Sequence, residues 1–100
     1  DASKYAVGAC LTQWNEDGSE RPISFASSKL SGSQLSWAAI EKEAYAVVWA
    51  LNKFRTWCFG VPIVVFSDSN PLTYLTSGAT KSAKLTRWSL ALQEYNVTFK

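Results

Sequence analysis

Three carboxylates stand in settings where chemistry could use them: Asp1 opening a strand, Glu43 inside a helix, and Asp68 directly after a buried strand. Acids this far apart in a chain meet only through a fold. The chain contains no histidine, so converging carboxylates point to a hard metal ion held by oxygen ligands. Asp68 is the strongest of the three, because ligands of open α/β sheets gather outside the carboxyl ends of strands. The competing reading, of equal weight, makes it a turn or helix-cap residue before Asn70-Pro71.

Glu43 competes with Glu41, since at about 100° per residue both flank the apolar helical stripe equally. Their company separates them. Glu43 shares a side with Ala39, Ala46 and Ala50, small residues that let a helix approach a sheet closely, whereas Glu41 shares its side with Tyr45, Trp49 and Asn52. The residues alone favour a plainer role for Glu43, a solvated carboxylate paired with Lys42 or a residue one turn away. Asp1 on its own carries little weight, because terminal residues are usually mobile and polar.

The elements that must position these acids follow from periodicity. From Lys4 to Trp14 the chain alternates, with Tyr5, Val7, Ala9 and Leu11 on one face and Ala6, Gly8, Cys10 and Thr12 on the other, which is a strand. A polar run, Asn15 to Ser19, closes on Asp17-Gly18 and leads to a second strand over Pro22 to Ser27, so the pair forms an antiparallel hairpin. A third short strand is expected near Ser28 to Leu30. Apolar positions from Trp37 to Trp57 then follow helical spacing, with Ser36 as N-cap. Gly60 and Pro62 end that helix and deliver Ile63 to Phe66, a continuous apolar run suited to a strand covered on both faces. A short helix after Asn70-Pro71, a loop over Ser77 to Ser82, a helix buried along Leu85, Trp88, Leu92 and Tyr95, and a strand beginning at Val97 complete the order. The expected class is α/β, a mixed sheet with helices packed on it.

Composition sets the outer bounds. One hundred residues with 47% hydrophobic content and five Trp suffice for one compact domain. A net charge of +2 does not by itself imply a polyanion partner. Cys10 and Cys58 lack metal-ligand spacing and are expected to be small core residues in a reduced compartment. No stretch approaches the roughly 18 apolar residues of a membrane span, and no signal-peptide pattern is present, so a soluble chain without membrane partners is expected. The chain has no methionine and begins on Asp1, which suggests a piece of a longer polypeptide.

The segments DASKYAVGACLTQ, RPISFASSKL, AAIEKEAYAVVWALNKFRTW, VVFSDSNPLTYL and LTRWSLALQEYNVTFK, in this order and spacing, resemble the ribonuclease H domain of gypsy-type LTR retrotransposon polyproteins. The resemblance implies a ribonuclease H-like fold and hydrolysis of the RNA strand of RNA·DNA hybrids, with four acidic residues holding two Mg²⁺ ions, or Mn²⁺ in their place. Carried over by position, Asp1, Glu43 and Asp68 are three of the four catalytic and metal-holding acids, which breaks the tie with Glu41. The fourth belongs on a helix past the final strand and so beyond Lys100. On this reading residues 1–100 form a ribonuclease H-like domain lacking the start of its first strand and its C-terminal helix, and the isolated chain is a weak or inactive nuclease. Ser69 stands where many relatives carry a histidine, which is not one of the four acids.

Two-metal hydrolysis leaves the acid and base work to ions about 3.5–4 Å apart, which accounts for a nuclease without histidine. Lys81, Lys84 and Arg87 recur every three residues and could meet phosphates along one side; the plainer reading is a solvated helix face. Ser69 and Asn70 could bond ribose 2′-hydroxyls or simply form the turn. The aromatic residues Trp37, Trp49, Trp57 and Trp88 lie on or near helical stripes and are expected in the core or against a partner. The resemblance further implies an adjoining reverse transcriptase domain and an intracellular, cytoplasmic particle with a nuclear stage. The alternative function is an inactive ribonuclease H-like connecting module. A nucleotide-binding α/β domain is disfavoured because no glycine-rich phosphate loop is present.

Overall fold

In the computed structural model, which describes residues 2–67 and 83–100, the alternating N-terminal sequence forms β1 (Ala6–Trp14) and pairs antiparallel with β2 (Glu20–Lys29). The hairpin turn is fixed by its own side chains: the Asp17 carboxylate accepts from the Ser19 amide at 2.9 Å and from its hydroxyl at 2.6 Å. Gly18 takes φ +89°, a conformation that a Cβ would disfavour. The register slips between Leu11 and Thr12, opposite Ser24 and Pro22, leaving Ile23 as the extra residue of a bulge beside the proline that cannot donate to the ladder. β2 runs unbroken to Lys29. The separate strand expected near Ser28 to Leu30 is therefore the end of β2, with Ser28 opposite Val7 and Lys29 opposite Ala6.

After a 3-10 turn (Gly32–Ser36), the main helix α1 spans Ala39–Lys53. Ser36 does not cap it, because the chain passes through extended Trp37 and Ala38 first and the Ser36 hydroxyl donates back to the Ser33 carbonyl at 2.8 Å. Glu41 does the capping instead, its Oε1 accepting the Ala38 N–H at 3.1 Å. The single helix expected over Trp37 to Trp57 breaks at Phe54 (φ −101°, ψ 22°), and a short α2 (Arg55–Cys58) follows. Gly60, at φ +83°, turns the chain into β3 (Pro62–Val65). Further on, α3 (Ala83–Leu92) leads to β4 (Asn96–Phe99), which lies parallel to β3 with Ile63 opposite Val97 and Val65 opposite Phe99.

The described residues thus hold an antiparallel and a parallel strand pair, and their inward faces meet one helical core. Ala44, Val47, Val48, Leu51 and Phe54 of the α1 stripe are buried with Cys58 and with Leu85, Trp88, Leu92 and Tyr95, the stripe expected for the last helix. Ala9, Leu11, Ala26, Ile63, Val65, Val97 and Phe99 pack against them from the strands. Each fully buried Val or Leu of this set contributes about 1.5–3 kcal/mol. Trp37, Tyr45 and Trp88 close one side as a ring cluster with centroids 5.4–5.9 Å apart, while Trp57 is exposed.

Two expectations about faces are overturned. Val64 and Phe66 are exposed, because Ile63 and Val65 alone face the helical layer and the other side of β3 carries no described element. Cys10 is likewise exposed, sharing the outward face with Thr12, whereas Cys58 is buried; both thiols are free.

Candidate metal centre

Glu43 is half-buried on α1, three residues before Ala46 and four before Val47, its neighbours on the helix surface. Those neighbours belong to different clusters. Val47 is in the main core, whereas Ala46 packs with Val7 and Leu30 in a smaller one that also receives Ala2. Glu43 therefore sits at the seam where α1 meets the start of β1. Among the described residues its carboxylate has no hydrogen-bond or ion-pair partner.

Glu41 is committed elsewhere. Beyond capping α1, its Oε2 lies 3.1 Å from Lys84 Nζ, and the same ammonium stands 4.5 Å from the Trp37 ring centroid. The two glutamates thus differ in their described partners: Glu41 has the helix cap and Lys84, and Glu43 has none. Lys42, between them, is neither solvated nor paired with Glu43: it is buried, and its Nζ donates to the Lys4 carbonyl oxygen at 3.0 Å. Sequence inspection makes Lys42 only a partner for Glu43, although its position four residues before Ala46 places it on the face that meets β1.

The chain enters this seam in an ordered way. Ala2 bridges to Val7, the Ser3 N–H donates to the Ala6 carbonyl at 2.8 Å, and the Ser3 hydroxyl accepts the Ala6 N–H at 3.1 Å. Asp1 itself, with Asp68, Ser69, Asn70 and Lys81, lies outside the described residues. Asp68 is the residue after Ser67, and the strand leading to it is tied by the Lys100 N–H to the Val65 carbonyl at 2.9 Å. Among the described residues no three His, Cys, Asp or Glu side chains gather as a ligand set. Of the basic residues expected to meet phosphates, Lys84 is engaged by Glu41, and Arg87 is exposed without an ion pair among the described residues.

Over residues 1–95 the chain matches the model of the RNase H-like domain found in reverse transcriptase. It belongs to that family. The assignment bears out the resemblance seen in the motifs and the α/β ribonuclease H-like fold, and it places the chain in a nuclease family. Among the relatives of this RNase H-like domain are three retrovirus-related Pol polyproteins of Drosophila melanogaster. The chain is 39% identical over 97 residues to that of transposon opus, 43% over 98 to that of transposon 412, and 42% over 95 to that of transposon 297. The alignments cover 95–98% of the chain but only 8–10% of these relatives, so the RNase H-like domain spans about a tenth of their length or less. No helix among the described residues is long and apolar enough to cross a membrane.

Proposed function

We propose that this domain is an endonuclease that cleaves the RNA strand of RNA·DNA hybrids within a retrotransposon reverse transcriptase polyprotein, with Asp1, Glu43 and Asp68 holding two Mg²⁺ ions. The observation that carries the proposal is Glu43, a half-buried carboxylate without a described partner, held where α1 meets the first strand while its rival Glu41 is consumed by Lys84 and the helix cap. The donor chemistry fits: carboxylate oxygens are the ligands that Mg²⁺ selects, and no histidine competes for a softer metal.

Bound divalent ions supply an activated water and neutralise the leaving oxygen. The chain's own part is positional. α1 holds Glu43 in place, and the Ala2 to Ala6 segment brings the backbone beside Asp1 to the same helix face. Ser69 and Asn70 are assigned to ribose hydroxyls, by which RNA is told from DNA. Lys81 and Arg87 are assigned to phosphates, with Lys84 joining them only on release from Glu41. The adjoining reverse transcriptase domain would present the hybrid.

Calorimetric titration with Mg²⁺ and a hybrid-cleavage assay, run on the domain together with its flanking polyprotein sequence as wild type, Glu43→Gln and Asp68→Asn, test the assignment. Loss of both metal binding and cleavage in each variant is expected. Metal binding that ignores both substitutions would leave the chain as a connecting module of ribonuclease H-like fold without activity.

A further inference from the structure

Lys42 is the one charged side chain buried among the described residues, at 7% exposure, and the role above does not use it. Burying an ammonium is costly unless it is bonded, and its 3.0 Å bond to the Lys4 carbonyl is what offsets that cost. The carbonyl needs it too. The β1–β2 ladder begins at Ala6 opposite Lys29, and the Leu30 N–H is taken by the Tyr5 carbonyl at 2.7 Å, so Lys4 lies before the ladder. Its carbonyl is met from α1 instead of from a strand.

The bond ties two parts of the molecule that the ladder does not join. One is the turn of α1 that carries Glu43, the residue next to Lys42. The other is the segment Ala2 to Ala6, whose first residue is bonded to Asp1 and packs against Val7, Leu30 and Ala46. Without the bond, that segment is held by the Ala2 to Val7 bridge and the Ser3 turn, by the Tyr5 and Ala6 links to Leu30 and Lys29 at the end of the hairpin, and by the small contact of Ala2. None of the polar links among these fixes the segment to the helix.

We propose that Lys42 is a positioning residue for the metal centre: its ammonium clamps the backbone at Lys4 onto the helix turn that carries Glu43, and so holds the start of the chain and that metal-holding carboxylate in a fixed relation. The inference rests on the assignment of Asp1 and Glu43 to the metals. It makes Lys42 an outer support of the site, in the sense that groups orienting metal ligands commonly govern affinity without touching the metal.

The test uses Lys42→Met, which keeps the aliphatic stem and removes the donor, Lys42→Gln, whose amide is too short to reach the Lys4 carbonyl, and Lys42→Arg, which restores a cationic donor. Mg²⁺ affinity by calorimetry and amide hydrogen exchange are read on each, beside Glu43→Gln. For the Met and Gln variants the expectation is about a tenfold weaker Mg²⁺ affinity, with faster exchange confined to the amides of Ser3, Tyr5 and Ala6. The Arg variant should recover most of the affinity, and core amides of α1 and α3 should exchange as in wild type. Should Lys42→Met fail to fold, Lys42→Gln decides on the same readouts. Unchanged Mg²⁺ affinity in the donor-deleted variants, with binding abolished by Glu43→Gln, overturns the clamp and leaves the metal assignment standing. Unchanged affinity in Glu43→Gln overturns the assignment and the clamp together.

Discussion

Lys84 holds Glu41 at 3.1 Å, and by doing so it separates two glutamates that are two residues apart on the same helix. Glu41 caps α1 with one oxygen and anchors α3 with the other; Glu43 does neither. Substituting each should give opposite results. Glu41→Gln removes a partly shielded ion pair and weakens the cap, lowering stability by about 1 kcal/mol, with hybrid cleavage retained. Glu43→Gln should leave the urea midpoint in place and reduce cleavage beyond the roughly 10- to 100-fold that outer supports of a metal site command. Equal losses of activity in the two variants would sink the distinction.

Tyr95 ties the last strand to α1. Its buried hydroxyl accepts from Arg55 Nη1 at 3.1 Å and lies 3.0 Å from Asn52 Oδ1 and 3.3 Å from the Leu51 carbonyl oxygen, on its donor side. Tyr95→Phe keeps the ring in the core, including its edge contact with Phe59, and deletes only these bonds. The expected cost is about 1–2 kcal/mol, measured by urea denaturation, with an unchanged slope and no loss of metal binding. A neutral substitution would mean that water satisfies these partners equally well.

Much of this architecture is legible in the sequence, and the failures share a cause. Leu85, Trp88, Leu92 and Tyr95 announce a buried stripe because helical spacing names the buried side directly, and Asp17-Gly18 announces its turn because the local chemistry is complete within five residues. Alternation in β1 separates two faces without saying which one meets the helices, so Cys10 was expected inside and lies outside. The same blindness applies to Val64 and Phe66, whose apolar run does not reveal that only one side is covered among the described residues. Lys42, expected as a surface partner of Glu43, is misplaced for a different reason. A lysine is taken as solvated until a distant backbone carbonyl, here that of Lys4, is seen to need it. The small neighbours of Glu43 do report a close approach: Ala46 packs against Val7 of β1 and Leu30.

The hairpin turn should report on acid. The Ser19 hydroxyl, and after it the Ser19 amide, bond the ionised Asp17 carboxylate and hold its pKa below the ordinary 3.8. The folded value is lower than the unfolded one, so the carboxylate's contribution is complete above about pH 4 and disappears as pH falls through the folded pKa. Asp17→Asn should therefore flatten the acid limb of the stability curve below pH 4, and NMR titration of the wild-type carboxyl should show a midpoint below 3.8. A midpoint at or above that value contradicts the bonded turn.

The two thiols should separate cleanly in a labelling experiment. Cys10 stands exposed on the outward face of β1, beside Phe25 on the neighbouring strand, while Cys58 is 2% exposed at the end of α2 and burial pushes its pKa up. Thiolate is the reactive form, so both access and ionisation protect Cys58. A disulfide reagent at neutral pH should modify Cys10 promptly in the folded protein and reach Cys58 only as the core opens, at a rate that rises with urea. Cys10→Ser should abolish the prompt phase without moving the melting temperature, because its side chain is exposed. Cys58→Ser should lower stability by about 1–3 kcal/mol, since it places a hydroxyl among Leu and aromatic side chains. Prompt labelling of Cys58 in native buffer would show that α2 opens independently of the core into which Phe54 and Cys58 fold.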